Sequence, residues 1–341
     1  MDGENPIRVK KAILHILDNS VQIPVISTKE LEKNEEVFYY LEEHILKVLN
    51  NSKVKEGVFD NPDNKILSLC EKLRTNSESF IGISIELAED LFEIMKKNAN
   101  ISPGDVIICI FEMDMAEYLA VLKFNYKPSY IHHVINTEEG VANNIIRQMT
   151  TLPNITQKVD ESIIINFSDM SIKLLEKLYE IDDEKDFYLS TKFLNCSFDL
   201  SSHEKFKIIS DVTKKLNKKY FDEDFKTPVK LNQTLATQLK ENHEIQVSDV
   251  ANEVFGDYQE IKEEYMEEVK SAGINEDQVK LTEHDSFSKK LITQKFKTDS
   301  GIEIKLPSDY YNNKDMIEFI NNPDGTISII LKNINKLFNR S

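Results

Sequence analysis

The chain is long enough for two domains, and its composition excludes several classes of protein. Its 341 residues carry 42 Lys and Arg against 59 Asp and Glu, a formal net charge of −17, which argues against a protein whose whole surface binds nucleic acid. No apolar run approaches the ~20 residues of a membrane helix. The acidic N-terminus does not resemble a signal peptide, and the three widely spaced cysteines favour free thiols, so we expect a cytoplasmic location.

The first 200 residues predict a mixed α+β domain with a central β-hairpin sheet. The strongest β pattern lies at residues 106–111 and 118–124, where two apolar runs flank a polar turn. We expect these two strands to pair at the centre of the sheet. Further strands are predicted at residues 7–17, 21–26, 130–135 and 162–167, and helices at residues 27–50, 66–73, 84–97, 141–149 and 171–179.

Residues 201–341 predict a mainly helical domain that ends in a small antiparallel β-meander. A strand at residues 293–297 precedes three strands within residues 301–336, where apolar and charged residues alternate. In this last segment the Asp324-Gly325 pair favours a hairpin turn. The preceding helices are predicted at residues 201–220, 229–241, 247–255 and 258–271 from apolar residues at helical spacing.

The sequence contains no catalytic or metal-binding motif. The seven histidines show no metal-ligand spacing, and His132 and His133 would face opposite sides of a strand. Glu303 and Lys305 share one face of a strand, as in a metal-dependent nuclease, but an ordinary charged face explains them more simply. We therefore predict no catalytic residue, no metal and no cofactor.

Lysines form two clusters in the less acidic half of the chain. Residues 201–341 hold 21 basic and 25 acidic residues, against 21 and 34 in residues 1–200. Such lysines could neutralise DNA phosphates and read little sequence, although a solvated helix face and a lysine-guarded strand edge also explain them. The predicted nucleic-acid-binding residues are Lys207, Lys214, Lys215 and Lys218 on one helix, and Lys289, Lys290, Lys295 and Lys297 in the segment SFSKKLITQKFK.

Four stretches of the chain, in order, resemble the bacterial 37-kDa nucleoid-associated protein family. They are AILHILDN at residues 12–19, PGDVIICIF with YLAVLKF at residues 103–124, FLNCSFD at residues 193–199, and GIEIKLP with IEFINNPDGTISIILKNI at residues 301–334. The resemblance implies a bacterial protein of the cytoplasm and nucleoid that binds double-stranded DNA. A role in chromosome organisation, in assisting a topoisomerase or in defence against foreign DNA would each fit. The family brings no catalytic residue set.

These observations lead to one principal hypothesis and two alternatives. The principal hypothesis is a non-enzymatic nucleoid-associated protein that contacts double-stranded DNA through phosphates and forms a homodimer. The first alternative is a protein-interaction module, in which an acidic segment at residues 30–43 or 182–186 binds a protein partner such as a DNA-processing enzyme. The second is a metal-dependent nuclease that uses Glu303. We expect two domains, at residues 1–200 and 201–341.

Overall fold

A computed structural model gives the fold of the chain as two compact units, Met1–Asp199 and Leu200–Ser341. We call them unit 1 and unit 2. The mixed α+β class predicted from the sequence is confirmed, and no helix of the described residues is long and apolar enough to cross a membrane. The structure describes residues 6–138, 140–181, 183–222, 224, 226–242, 244–280, 291, 293–307, 310, 313–324, 326–336 and 338.

Unit 1 is organised around a six-stranded antiparallel sheet in the order β1-β3-β4-β7-β8-β2. The apolar runs at its centre form a hairpin, as predicted, because β3 and β4 pair along their whole length from Gly104↔Asn125 to Met113↔Ala116. The strands of unit 1 are β1 (Ile7–Leu17), β2 (Lys55–Gly57), β3 (Gly104–Met113), β4 (Ala116–Asn125), β5 (Ser129–Thr137), β6 (Gly140–Gln148), β7 (Glu161–Asn166), β8 (Ile172–Leu175), β9 (Tyr179–Ile181) and β10 (Glu184–Asp186).

Helices cover both faces of this sheet, which explains why its central strands are apolar throughout. Helix α1 (Glu35–Leu49) packs on one face, and α2 (Lys65–Thr75) and α3 (Phe80–Lys97) pack on the other. Successive residues of β3 alternate between the two cores, so that Ile108 faces α2 and α3 while Cys109 faces α1. Both flanking cores are therefore fixed by the period-2 alternation of the central strands.

Strands β5 and β6 form a two-stranded arm that pairs with no strand of the main sheet. In the chain the arm lies between β4 and β7, which are neighbours in the sheet. Its register runs from Ser129↔Gln148 to Thr137↔Gly140 without a shift. We refer to residues 129–148 as the β-arm.

Among its described residues, unit 2 contains a helical core, two small antiparallel hairpins and one further pair of short antiparallel strands. Its helices are α4 (Ser202–Tyr220), α5 (Lys226–Asn242), α6 (Val247–Phe255) and α7 (Gln259–Ser271), which bury one common apolar cluster. The hairpins pair β13 (Thr293–Lys297) with β14 (Glu303–Pro307), and β15 (Ile317–Asn321) with β16 (Ile327–Leu331). The further pair joins β11 (Glu244–Gln246) to β12 (Gln278–Lys280), with α6 and α7 between them in the chain.

Three predictions for unit 1 were wrong in their secondary structure. Residues 141–149 form strand β6 and residues 171–179 include strand β8, although helices were predicted at both places. Apolar residues lie on both faces of these segments, so spacing alone does not distinguish the two periods. In the predicted edge strand 21–26, only Val25 bridges to Ile16.

The start of one helix and the pairing of the C-terminal strands also differ from the prediction. Helix α1 begins at Glu35 rather than near Thr28, because the Asn34 side chain accepts hydrogen bonds from the backbone of Glu36 and Val37 and caps the helix there. The C-terminal strands form two separate hairpins instead of one meander, since β14 pairs with the preceding β13 and not with β15. The expected free thiols are confirmed.

Candidate nucleic-acid interface

Helix α4 displays the first predicted lysine cluster on its exposed side. Ser201 begins the helix through a capping box with Glu204, in which each side chain bonds the other residue's backbone. The helix buries Ile209 and Leu216 against the other helices of unit 2. Residues 207 and 214 are about two helical turns apart, and residues 207 and 218 are about three turns apart. All three therefore lie on one side of the helix. The exposed lysines on that side are Lys207, Lys214 and Lys218.

Two other lysines of α4 make ion pairs with the acidic helix α7. The Lys215 ammonium lies 2.5 and 2.7 Å from the two carboxylate oxygens of Glu268. The Lys219 ammonium lies 2.7 Å from Glu264, and this hydrogen bond lowers the pKa of the glutamate and raises the pKa of the lysine. Helix α7 therefore compensates the charge of Lys215, whereas Lys207 has no ion-pair partner among the described residues.

The hairpin of β13 and β14 displays the second cluster. Its register places Lys295 directly opposite Lys305 and Lys297 opposite Glu303. All four side chains are exposed. On the other face Phe296 lies opposite Ile304 and packs against Phe319, with ring centroids 5.6 Å apart. The apolar face of the hairpin is therefore the packed face, and the charged face is exposed to solvent.

The opposed pair Lys295 and Lys305 is the most informative feature of this hairpin. Like charges directly opposite each other on neighbouring strands destabilise a sheet. Neither lysine has an ion-pair partner within the part of the chain that the structure describes. An anion bound above the pair would remove the repulsion. Lys305 was not among the predicted contacts, because its position opposite Lys295 depends on a strand register that the sequence does not reveal.

The structure thus shows two lysine surfaces, which contain five of the eight predicted residues together with Lys305. The helix surface consists of Lys207, Lys214 and Lys218, and the hairpin surface consists of Lys295, Lys297 and Lys305. Lys289 and Lys290 lie outside the described residues. Lys214 is 3.9 Å from Asp211, a contact between two well-exposed side chains that solvent screens.

A buried ion pair in unit 1 was not anticipated from the sequence. Lys123 on β4 lies opposite Glu161 on β7, with its ammonium 2.7 Å from the carboxylate, and their side chains are only 2% and 0% exposed. Asn125 and Tyr179 complete the polar group: Lys123 donates to the Asn125 amide oxygen, and the Tyr179 hydroxyl donates to Glu161 over 3.0 Å. Burial lowers the pKa of Lys123. We call these four residues the root cluster, because the β-arm begins four residues after Asn125.

A cleft of about 460 Å³ in unit 2 does not extend the basic surface. Lys226 and Lys230 contribute to its wall, but so do Asp224 and Asp257, which balance them. Asp224 also accepts a hydrogen bond from the backbone of Lys226 at the start of α5. Among the described residues no group of three or more His, Cys, Asp or Glu side chains could hold a metal ion.

Comparison with known proteins assigns the chain to a family. No curated protein matches the sequence. The family described as nucleoid-associated protein YejK matches residues 13–338, which include the main sheet of unit 1 as well as the helices and hairpins of unit 2. The resemblance drawn from the four short stretches is therefore confirmed over nearly the whole chain, and the protein is a member of the nucleoid-associated protein YejK family.

Proposed function

We propose that this protein binds double-stranded DNA without catalysis, through contacts between the phosphate backbone and the two lysine surfaces of unit 2. The observation that carries the proposal is the exposed pair Lys295 and Lys305, which face each other across a hairpin with no ion-pair partner among the described residues. Membership of a nucleoid-associated family supports the same conclusion. In this function the chain contributes to chromosome organisation in the nucleoid.

The net charge of −17 is compatible with this function because the charges are unevenly distributed. Residues 201–341 carry 21 basic and 25 acidic residues. Glu264 and Glu268 of α7 are already engaged by Lys219 and Lys215. At physiological salt the Debye length is about 8 Å, so exposed carboxylates farther than this from a phosphate oppose its binding only weakly.

Phosphate binding by these surfaces has a measurable salt dependence. Each phosphate that is neutralised contributes about −0.9 to the slope of log affinity against log salt. Six lysines in the two surfaces would give a slope of about −5 and a loss of affinity of about 1,000-fold between 50 and 200 mM salt. Because phosphate contacts carry no base information, affinity should be similar for duplexes of different sequence.

The test is a binding titration with random-sequence duplexes of about 30 base pairs at these two salt concentrations. One triple variant removes the hairpin surface (Lys295→Gln, Lys297→Gln, Lys305→Gln), and a second removes the helix surface (Lys207→Gln, Lys214→Gln, Lys218→Gln). Each should reduce the slope by about 2 to 3 and weaken binding to all sequences alike. Charge reversal at Lys295 and Lys297 to Glu should weaken binding further.

A matched control changes net charge equally without touching either surface. Lys29, Lys53 and Lys96 are exposed residues of unit 1, and their triple replacement by Gln should leave the slope unchanged. An equal loss of affinity in this control would show that only total charge matters and would overturn the assignment. Absence of binding by the wild type at low salt would instead favour attachment to the nucleoid through a protein partner of the acidic segment 30–43.

A further inference from the structure

The β-arm exposes apolar side chains on two strands that pair with no other strand among the described residues. One of its faces, which we call the outer face, carries Tyr130, Val134, Val141 and Ile145. These side chains are 71%, 48%, 69% and 79% exposed. The register makes Tyr130 and Ile145 diagonal neighbours, and Val134 is diagonal to both Ile145 and Val141. The four side chains are thus diagonal neighbours on a face that also carries His132, Asn136, Asn143 and Arg147.

The opposite face of the β-arm also carries exposed apolar side chains. Ile131 lies directly opposite Ile146, and both are exposed, at 44% and 39%. A two-stranded hairpin exposed on both faces is at best marginally stable in water. No other described strand pairs with its two outer edges, and strand edges of this kind favour association with another chain. The β-arm therefore has the features of a surface that is covered in an assembly.

The root of the β-arm is held firmly, so the arm has a defined starting direction. The Lys127 ammonium lies 3.0 Å from Asp160, and the Asn125 backbone donates to the same carboxylate. The hydroxyl of Thr151, just beyond the arm, donates to the Lys127 carbonyl over 3.0 Å. Next to these contacts lies the buried pair of Lys123 and Glu161. Contacts to both ends of the arm thus fix its base to the main sheet.

The composition of the β-arm does not suit a nucleic acid. Residues 129–148 contain one arginine, no lysine and two glutamates, whereas proteins that insert arms into DNA grooves rely on several cationic side chains. The arm is nearly neutral within a chain of net charge −17. It is therefore a region where two copies of this acidic protein can meet without strong mutual repulsion.

The dimensions of the β-arm favour a second copy over a single docked partner. Nine-residue strands at ~3.3 Å per residue give a length of about 30 Å, and a width of about 10 Å gives about 300 Å² per face. One arm docked on another protein would bury about 600 to 1,200 Å² in total, at or below the lower limit of stable interfaces. Reciprocal exchange of two arms doubles this area to about 1,200 to 2,400 Å², which a stable homodimer requires.

We propose that the β-arm is the dimerisation element of this protein, and that each arm packs by its outer face against a second copy of the same chain. The two copies exchange arms across a two-fold axis, so one kind of contact occurs twice. Dimerisation would place two sets of lysine surfaces in one particle. The proposal does not depend on DNA binding, and it can be tested without DNA.

The experiment measures the mass of the full-length protein by sedimentation at concentrations up to about 100 µM and in about 0.5 M salt, where long-range charge effects are screened. Wild type is compared with Ile145→Glu and with the control Ile23→Glu, which changes a side chain of equal exposure (77% against 79%) outside the arm. A third variant replaces residues 131–146 with Asn-Gly, which closes a two-residue turn between the opposed Tyr130 and Arg147.

Wild type and Ile23→Glu should sediment as dimers of the 39.5 kDa chain. Ile145→Glu should raise the dimer dissociation constant about 100-fold or more, because two apolar contacts are lost at once, and the shortened variant should be monomeric. Circular dichroism checks that helix content is unchanged, and the shortened variant decides the question if Ile145→Glu misfolds. A monomeric wild type, or dimers that persist in both arm variants, would overturn the proposal.

Discussion

Mild acid should destabilise unit 1 through two buried histidines, His15 and His44. Both side chains are fully buried, and burial lowers the pKa of each to about 4. His15 accepts a hydrogen bond from the Ser27 backbone at Nδ1 and contacts the Ser84 hydroxyl at Nε2, so one ring nitrogen must remain unprotonated. His44 packs between Tyr40 and Phe124 and has no hydrogen-bond partner among the described residues.

The sign and size of the effect follow from proton linkage. Below pH 6.5 the unfolded chain takes up a proton at each histidine, whereas the folded chain does not until pH falls to about 4. Stability is therefore fully present above pH 6.5 and is lost as pH falls toward 4. Each histidine lowers the free energy of unfolding by about 2 kcal/mol at pH 5 and by about 3 kcal/mol once the pH is below about 4. The pair together therefore removes about 4 kcal/mol at pH 5.

The assay is urea unfolding at pH 7 and at pH 5. Unfolding is monitored by hydrogen exchange in peptides from β3 and β4, which report on unit 1 alone. His44→Phe preserves an aromatic ring between Tyr40 and Phe124 and should halve the loss of unfolding free energy between the two pH values. The control is Ile45→Val, which changes the neighbouring buried side chain of α1 without altering a titratable group and should leave the pH dependence unchanged.

Equal losses of unfolding free energy in His44→Phe and wild type between pH 7 and pH 5 would refute the role of His44. Titration of the raised carboxyl groups cannot imitate the expected result. Burial raises the pKa of Asp105 and Glu176, so protonation of these two groups on acidification stabilises the folded state. The difference between the two proteins therefore isolates the histidine.

Three further predictions concern structural features of each unit. Lys123→Met should destabilise unit 1 by about 3 to 5 kcal/mol in urea unfolding, because it leaves Glu161 charged and buried, whereas adding Glu161→Leu should recover most of the loss. Gly104→Ala should lower the free energy of unfolding of unit 1 by about 1 to 3 kcal/mol, since the added Cβ would lie 2.4 Å from the Phe124 carbonyl oxygen. The control is Gly82→Ala, whose added Cβ meets no atom within 4 Å. Ser201→Ala should lower the free energy of unfolding of unit 2 by about 1 kcal/mol, because it removes the α4 cap. The thermal midpoint of unit 2 measures this loss.

The sequence predicted the parts of the fold that depend on local pattern. The β3–β4 hairpin, helices α2, α3 and α7, and α6 ending before Gly256 have regular periodicity or clear terminal residues, and the structure contains them. Strand β6 was mistaken for a helix because Val141, Ile145 and Ile146 also suit a helical period. Its true period reflects pairing with β5, a partner that a single segment does not reveal.

The candidate interface shows the same division between local and long-range information. Helical spacing was sufficient to place Lys207, Lys214 and Lys218 on one side of α4. The pairing of Lys215 with Glu268 joins residues 53 positions apart, and the opposition of Lys295 and Lys305 depends on the hairpin register. Neither follows from spacing within one element, so the sequence could not separate compensated lysines from uncompensated ones.

The strand order of unit 1 also governs when the unit can fold during synthesis. Strand β2 pairs with β8 through residues such as Glu56 and Lys173, which are 117 positions apart, and Gly57 makes a bridge to Phe198 at the end of the unit. Closing such distant contacts is slow because the entropy of the intervening chain must be lost first. On the ribosome β2 therefore stays unpaired until β8 has emerged, late in the synthesis of unit 1, and a chaperone would be most useful during this interval.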